Sequence, residues 1–228
     1  MSDDRAEKLA AIAEEVRVCT ACRLHQGTKN AVPGYGDVQA EILFIGEGPG
    51  FNEDQQGLPF VGKSGRYLDY LLDLIGMKRE QVFITNVVKH RPPENRDPLA
   101  DEILACKHYL DRQIEIINPM VIATLGRFSM ERYFPGGKIT KIHGEPKYDG
   151  SGDSLRAYYP MFHPAAALRT PPLRHDMEAD MKRLPEVVAE VKRRRSGGGS
   201  LETPAEKPAP PEPPKPDDNK PPKQLTLF

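Results

Sequence analysis

Short, nearly continuous apolar runs alternate along the chain with longer stretches in which apolar residues recur every three or four positions. The runs "EILFIG" (41–46), "QVFITN" (81–86), "MVIATLG" (120–126) and "AYYPMFH" (157–163) have strand length and are rich in β-branched and aromatic residues. Helical periodicity fills about 63–76, 98–117, 127–134 and 175–194, and "MSDDRAEKLAAIAEEV" is an acidic amphipathic helix pattern. Asp97 is expected to cap the helix that follows "RDPLADE", with Pro98 in its first turn. Strands that are apolar on both faces and separated by helices predict an α/β fold. Its centre would be a four-stranded, mostly parallel sheet flanked by helices in three layers.

Composition adds a boundary. The chain has 228 residues, enough for one domain with a full core and an appendage. After "VVAEVKRRR" the pattern stops: residues 196–228 hold nine prolines and an "SGGGS" spacer without apolar periodicity. Such a segment cannot bury enough surface to offset its ordering entropy, so the expectation is a folded domain over 1–195 and a disordered, proline-rich tail over 196–228. The tail carries 4 basic and 5 acidic residues, which leaves 28 of each in the domain. Any nucleic-acid surface must then be a local patch. No apolar run approaches the roughly 20 residues that span a bilayer, and the first residues lack the basic end and apolar stretch of a signal peptide. A cytoplasmic protein without a membrane partner is expected.

Candidate chemistry gathers where the strands end. Glu47 follows "ILFIG", Asn86 closes "VFITN" and His163 follows "YYPMF". Each alone reads as a strand-end cap, but in open parallel sheets the ligand crevice lies outside the carboxyl ends of the strands, so together they point to one pocket. "GEGPGFNED" supplies glycines where main-chain N–H groups can face a ligand oxygen. It fits neither GxxxxGKS/T nor GxGxxG, which sets nucleotide-binding enzymes aside. Phe60 in "LPFVGKSG" can offer a ring face to a planar heterocycle or serve as a core residue. The three cysteines, Cys19, Cys22 and Cys106, are too few and odd in number for a disulfide framework. "CTAC" is therefore metal, redox or accident, and His90 in "NVVKHRPPENRD" either completes a four-ligand set or sits in a loop.

In their order and spacing, "GEGPGFNED", "PFVGKSG", "ITNVVK", "RPPENRDP", "TLG" and "FHPAAAL" resemble the family 4 uracil-DNA glycosylases, the iron–sulfur branch of the uracil glycosylase superfamily. The resemblance runs from about Ala10 to Val191. It implies a DNA repair enzyme that flips uracil out of DNA and hydrolyses its N-glycosidic bond, leaving an abasic site. It also implies a 4Fe-4S cluster held by four cysteines, the third in a "KCRPP" motif that here reads "KHRPP". The implied ligands are Cys19, Cys22, His90 and Cys106. Exchanging one thiolate for imidazole removes a negative charge and should raise the reduction potential. A Cys3His zinc site is the alternative. A related branch with the same histidine becomes covalently trapped on uracil-containing DNA. That branch is similar to "GEQPG" and carries an inserted basic loop, whereas this chain has "GEGPG" and fifteen residues between His90 and Cys106. A non-catalytic DNA-binding module scaffolded by metal is a further reading, separated by whether an abasic site forms.

The resemblance assigns roles. Asn86 would read the uracil edge, Phe60 would stack on the ring, and His163 would stabilise charge on O2. Glu47 and Asn95 would serve the water, with Gly48 standing where other branches place an aspartate, and Glu53 is a further pocket residue. In "AAALRTPPLR", resembling a loop that enters the minor groove, Leu168 would be the wedge beside Arg169. Arg91 and Arg96 would meet phosphate. The last residues, "PPKQLTLF", resemble the peptide by which bacterial repair proteins dock on the sliding clamp. Gln224 would bond at the rim, while Leu225, Leu227 and Phe228 supply the apolar side chains. A monomer is expected.

Overall fold

The computed structural model describes residues 2–197. All but the first two residues of the expected tail, including Gln224, Leu225, Leu227 and Phe228, lie outside the described residues. In chain order the elements are α1 (Ser2–Arg17), β1 (Tyr35–Gly36), β2 (Ile42–Gly46), α2 (Phe51–Gln56), α3 (Lys63–Leu74), β3 (Phe83–Asn86), α4 (Ala100–Ile117), β4 (Val121–Leu125), α5 (Arg127–Glu131), α6 (Ile139–Ile142), β5 (Lys147–Asp149), β6 (Arg156–Met161), α7 (Pro164–Arg169) and α8 (Leu173–Arg195).

The four apolar runs form four adjacent parallel strands in the order β3-β2-β4-β6. Alternate residues of these strands face opposite sides. Ile42, Phe44, Ile84, Ala123 and Tyr159 join α3, α7 and α8 in one apolar cluster. Leu43, Ile45, Phe83 and Ile122 join α1 and α4 in another. Two buried cores on one sheet make the three layers. The sheet is larger than the pattern predicted: β1 and β5 add an antiparallel strand at each edge, for six in all. With two and three residues they are too short to leave a period-two signature. Pro160 is accommodated in β6 because β5 pairs only with Arg156, Ala157 and Tyr158.

Asp97 does not cap α4. The helix starts at Ala100, and Glu102 Oε2 accepts the Leu99 N–H at 2.8 Å. Asp97 instead forms an ion pair with Arg127 at the start of α5. A carboxylate at the third helical position satisfies the first orphan amide itself, so the helix needs no side chain two residues upstream. Among the described residues no helix is long and apolar enough to cross a membrane.

Candidate active site

At the carboxyl ends of the parallel strands lies a cavity of about 620 Å³. Glu47, Gly48, Glu53, Phe60, Asn86, Asn95, Arg96, His163 and Arg169 all line it, although they come from five separate stretches of sequence. The register explains part of this convergence: Gly46 on β2 stands opposite Asn86 on β3, so the loops that follow both strands leave at the same height.

Gly46 is where the back wall closes. A Cβ there would meet Asn86 Oδ1 at 2.4 Å and the Phe60 ring at 2.7 Å, so only glycine lets the amide and the ring sit together. Asn86 is 1% exposed, and its Oδ1 finds no hydrogen-bond partner among the described residues. A buried acceptor without a partner costs on the order of 1–3 kcal/mol, which a ligand donor would recover. Lys89 fixes the backbone at this point. Wholly buried, it donates from Nζ to Thr85 Oγ1 (2.6 Å), to the carbonyl of Asn86 (2.9 Å) and to Gln113 Oε1 (2.8 Å). Burial pushes its pKa down to about 8.

Phe60 holds a left-handed backbone (φ 52°), which a non-glycine residue adopts only when its surroundings enforce it. Two neighbours do so. Arg79, only 17% exposed, donates to the carbonyls of Pro59 (3.1 Å) and Phe60 and pairs with Asp69 (2.9 Å). Gly65 comes so close that a Cβ would lie 1.7 Å from the Phe60 carbonyl oxygen. Glu53 completes the loop, its Oε1 accepting the amides of Val61 and Gly62 at 2.9 Å each. Its carboxylate lines the cavity but is engaged in holding the "PFVG" turn.

His163 caps α7. Its Nδ1 accepts the Ala165 N–H at 3.1 Å, which puts the ring proton on Nε2. Burial, followed by the charge of Arg169, pushes the imidazole pKa down to about 4. The side chain is thus a neutral donor at ordinary pH. Glu47 is shifted the other way: burial and then Asp97 raise its pKa, while Arg127 opposes them. Asn95 has a left-handed backbone as well (φ 55°), and its Oδ1 accepts from Arg91 Nε at 2.8 Å, leaving the amide hydrogens of Asn95 as donors.

The expected DNA-facing residues divide. Arg169 is exposed at the cavity, and Arg91 is half-buried next to the cavity-lining Pro92. Arg96 uses both terminal nitrogens on Glu102, at 2.9 and 2.7 Å. Leu168 is half-buried and lies on the short helix α7, where a loop was expected. Sequence reasoning passed over Arg127 and Ser64, which also line the cavity. Arg127 follows the carboxyl end of β4 in "TLGR", the same position that singled out Glu47, and could have been found by that rule.

At the other candidate centre, Cys19 and Cys22 are half-buried and Cys106 is buried. Burial raises the thiol pKa of Cys22 and of Cys106, and Cys19 raises both further. Cys106 Sγ accepts the Lys89 N–H at 3.3 Å, which puts the backbone beside His90 against the third thiol. Burial lowers the His90 pKa, keeping the imidazole in the form that binds metal. Three thiols and a neutral imidazole are a donor set suited in chemistry to iron or zinc. Among the described residues, however, no three or more His, Cys, Asp or Glu side chains stand as a group that could hold a metal ion.

Comparison with known proteins agrees with this architecture. A family model described as the uracil DNA glycosylase superfamily matches residues 33–185. A type-4 uracil-DNA glycosylase of Sulfurisphaera tokodaii is 48% identical over 193 residues, covering 82% of this chain and 88% of that protein. The type-4 enzyme of Saccharolobus solfataricus is 48% identical over 190 residues, covering 80% and 88%. That of Thermotoga maritima is 47% identical over 167 residues, covering 72% and 85%. With the family model covering more than half of the chain and these relatives matched over most of their length, the chain belongs to the type-4 uracil-DNA glycosylases of the uracil DNA glycosylase superfamily.

Proposed function

We propose that this chain is a uracil-DNA glycosylase of base excision repair, a hydrolase that releases uracil from DNA and leaves an abasic site. The observation that carries the reading is the buried, unpartnered Oδ1 of Asn86 beside the Phe60 ring in the wall of the cavity. A base inside a duplex is out of reach of such a cavity, so the nucleotide must be flipped out of the stack. In this reading uracil stacks on Phe60, its N3–H donates to Asn86 Oδ1, and the Asn86 amide donates to O4. Cytosine lacks the N3 hydrogen and turns an amine toward the amide donor, leaving Oδ1 unsatisfied.

Cleavage moves the C1′–N1 bonding pair onto the base, whose charge collects on O2. His163, a neutral donor through Nε2, would hydrogen-bond that oxygen and strengthen its bond as charge develops. Water then forms the new bond to C1′, oriented by Asn95 and Glu47, with its proton passing to Glu47 or to solvent. A Cβ at Gly48 would meet Val88 at 2.8 Å and Pro92 at 3.6 Å, so glycine lets this loop pack closely on the cavity wall. Arg91 and Arg169 would meet the phosphates on either side of the uracil, and Leu168 would fill the gap left in the stack. Arg96 would then act mainly by holding the turn before α4 against Glu102.

A 4Fe-4S cluster would be held by Cys19, Cys22, His90 and Cys106, and when bound it would supply a structural tie between the segment after α1, the loop after β3 and helix α4. Zinc on the same donors is the second reading. The terminal peptide, with Gln224, Leu225, Leu227 and Phe228, would tether a monomeric enzyme to a sliding clamp on cytoplasmic, nucleoid DNA.

The experiment is incubation with an oligonucleotide carrying one uracil, followed by chromatography of the free base and alkaline scission of the strand. Free uracil and an alkali-labile site in equal amounts are expected; binding without either product would leave only a DNA-binding module.

A further inference from the structure

Phe51 is the first residue of α2, immediately after the cavity-lining residues Pro49 and Gly50, and its side chain is 57% exposed. A large aromatic ring held in solvent next to cavity-lining residues is free to stack on a planar group. The ring is also braced. The guanidinium of Arg91 lies over it, 5.2 Å from the centroid, while Nε of the same arginine donates to Asn95 Oδ1 at 2.8 Å. One side chain therefore joins an external ring to a residue of the cavity wall. The sheet order puts the loops after β2 and β3, which carry Phe51 and Arg91, side by side at one rim. The loop after β6, which carries α7, belongs to the other.

We propose that Phe51, braced by Arg91, is a stacking platform for the base of the nucleotide next to the flipped uracil. This inference rests on the glycosylase reading. A strand whose uracil occupies the cavity must leave across one rim or the other. In a duplex the neighbouring base stays paired and stacked, out of reach of an external ring. In a single strand that base is free, and stacking on an aromatic face is tolerant of its identity. Arg91 adds a positive charge for the adjoining phosphate, so ring and cation grip the same nucleotide from its two ends. Phe51 then sets how strongly the enzyme favours an unpaired neighbour.

The test compares the full chain, Phe51→Ala and Phe51→Tyr for binding to a uracil oligonucleotide made uncleavable by 2′-fluorination, as a single strand and as a U·G duplex. Phe51→Ala should raise the single-strand Kd about tenfold more than the duplex Kd, about 1.4 kcal/mol, and Phe51→Tyr should keep the wild-type ratio. Removing the base beside the uracil should cost wild type the same factor and cost Phe51→Ala nothing more. Equal changes on both substrates, or losses that simply add when ring and base are both removed, would overturn the platform. Failure of wild type to release uracil from the cleavable substrate would instead sink the glycosylase reading, and the binding comparison would still judge the platform.

Discussion

The ring of Phe60 lies 5.7 Å from that of His163, centroid to centroid, at a tilt of 32°. The surface that would stack on a base and the donor that would take its charge thus share one wall, although they come from a loop after β2 and the end of β6. Their separation is set by backbone elements with no place in the chemistry. Gly65 and Arg79 fix Phe60, while Gly126 (φ 89°), where a Cβ would stand 3.0 Å from that of His163, permits the close packing of the β4 and β6 loops.

Arg79→Met should therefore impair the enzyme from a distance. It removes the donors that hold two carbonyls of a strained turn and leaves the acceptors partly buried. A loss of about 1–3 kcal/mol in stability is expected, read as a lower midpoint in urea. The KM for uracil DNA should rise more than kcat falls, because the displaced element is the stacking surface. Unchanged KM in a destabilised variant would mean that Arg79 does not position the ring.

The pH dependence follows from two opposite shifts. The His163 pKa sits near 4 in the fold against an ordinary 6.5, so between these values the unfolded chain binds the extra proton and the fold does not. Stability from this group should be intact above 6.5 and decline as pH falls toward 4. Catalysis should show no inflection at 6.5. The acid limb of kcat/KM should instead follow Glu47, whose pKa lies above its ordinary 4.5. Arg127→Ala removes a charge that holds it down and should move that limb to higher pH. A pH–rate profile that bends at 6.5 and ignores Arg127 would reverse this assignment.

The apolar pattern carried the central sheet because four strands buried on both faces leave continuous runs. It missed β1 and β5, which are held by two or three ladder pairs each and are too short for a period-two pattern, although Tyr148 of β5 packs on the core. The pocket was legible through position: Glu47, Asn86 and His163 each stand at or just past the end of a strand, and topology brings strand ends together. Arg79 was not, since its work is done on carbonyl oxygens that no side-chain pattern encodes. The start of α4 was misread because Asp97 and Glu102 are both suited to capping, and the choice between them depends on Arg127, which reaches Asp97 only in the folded chain.

The donor set separates cleanly by substitution. His90→Cys should keep iron in anaerobically purified protein, because thiolate suits the same cluster, and should lower its reduction potential. His90→Ala should lose iron and lower the melting temperature. Full iron content in the alanine variant would remove His90 from the ligands, and zinc in place of iron in the wild type would replace the cluster with a tetrahedral site.

The central claim is that a neutral His163 and the unpartnered Asn86 Oδ1 act on a flipped uracil. The most direct measurement is single-turnover release of uracil, with a matched cytosine substrate, by wild type, His163→Ala and Asn86→Ala. His163→Ala should slow uracil release by about a hundredfold, the order seen when one oxyanion donor is removed, with binding to an abasic product little changed. Asn86→Ala should slow release and also narrow the gap between uracil and cytosine. Uracil release at the wild-type rate in either variant, or an unaltered uracil-to-cytosine ratio in Asn86→Ala, would contradict the account.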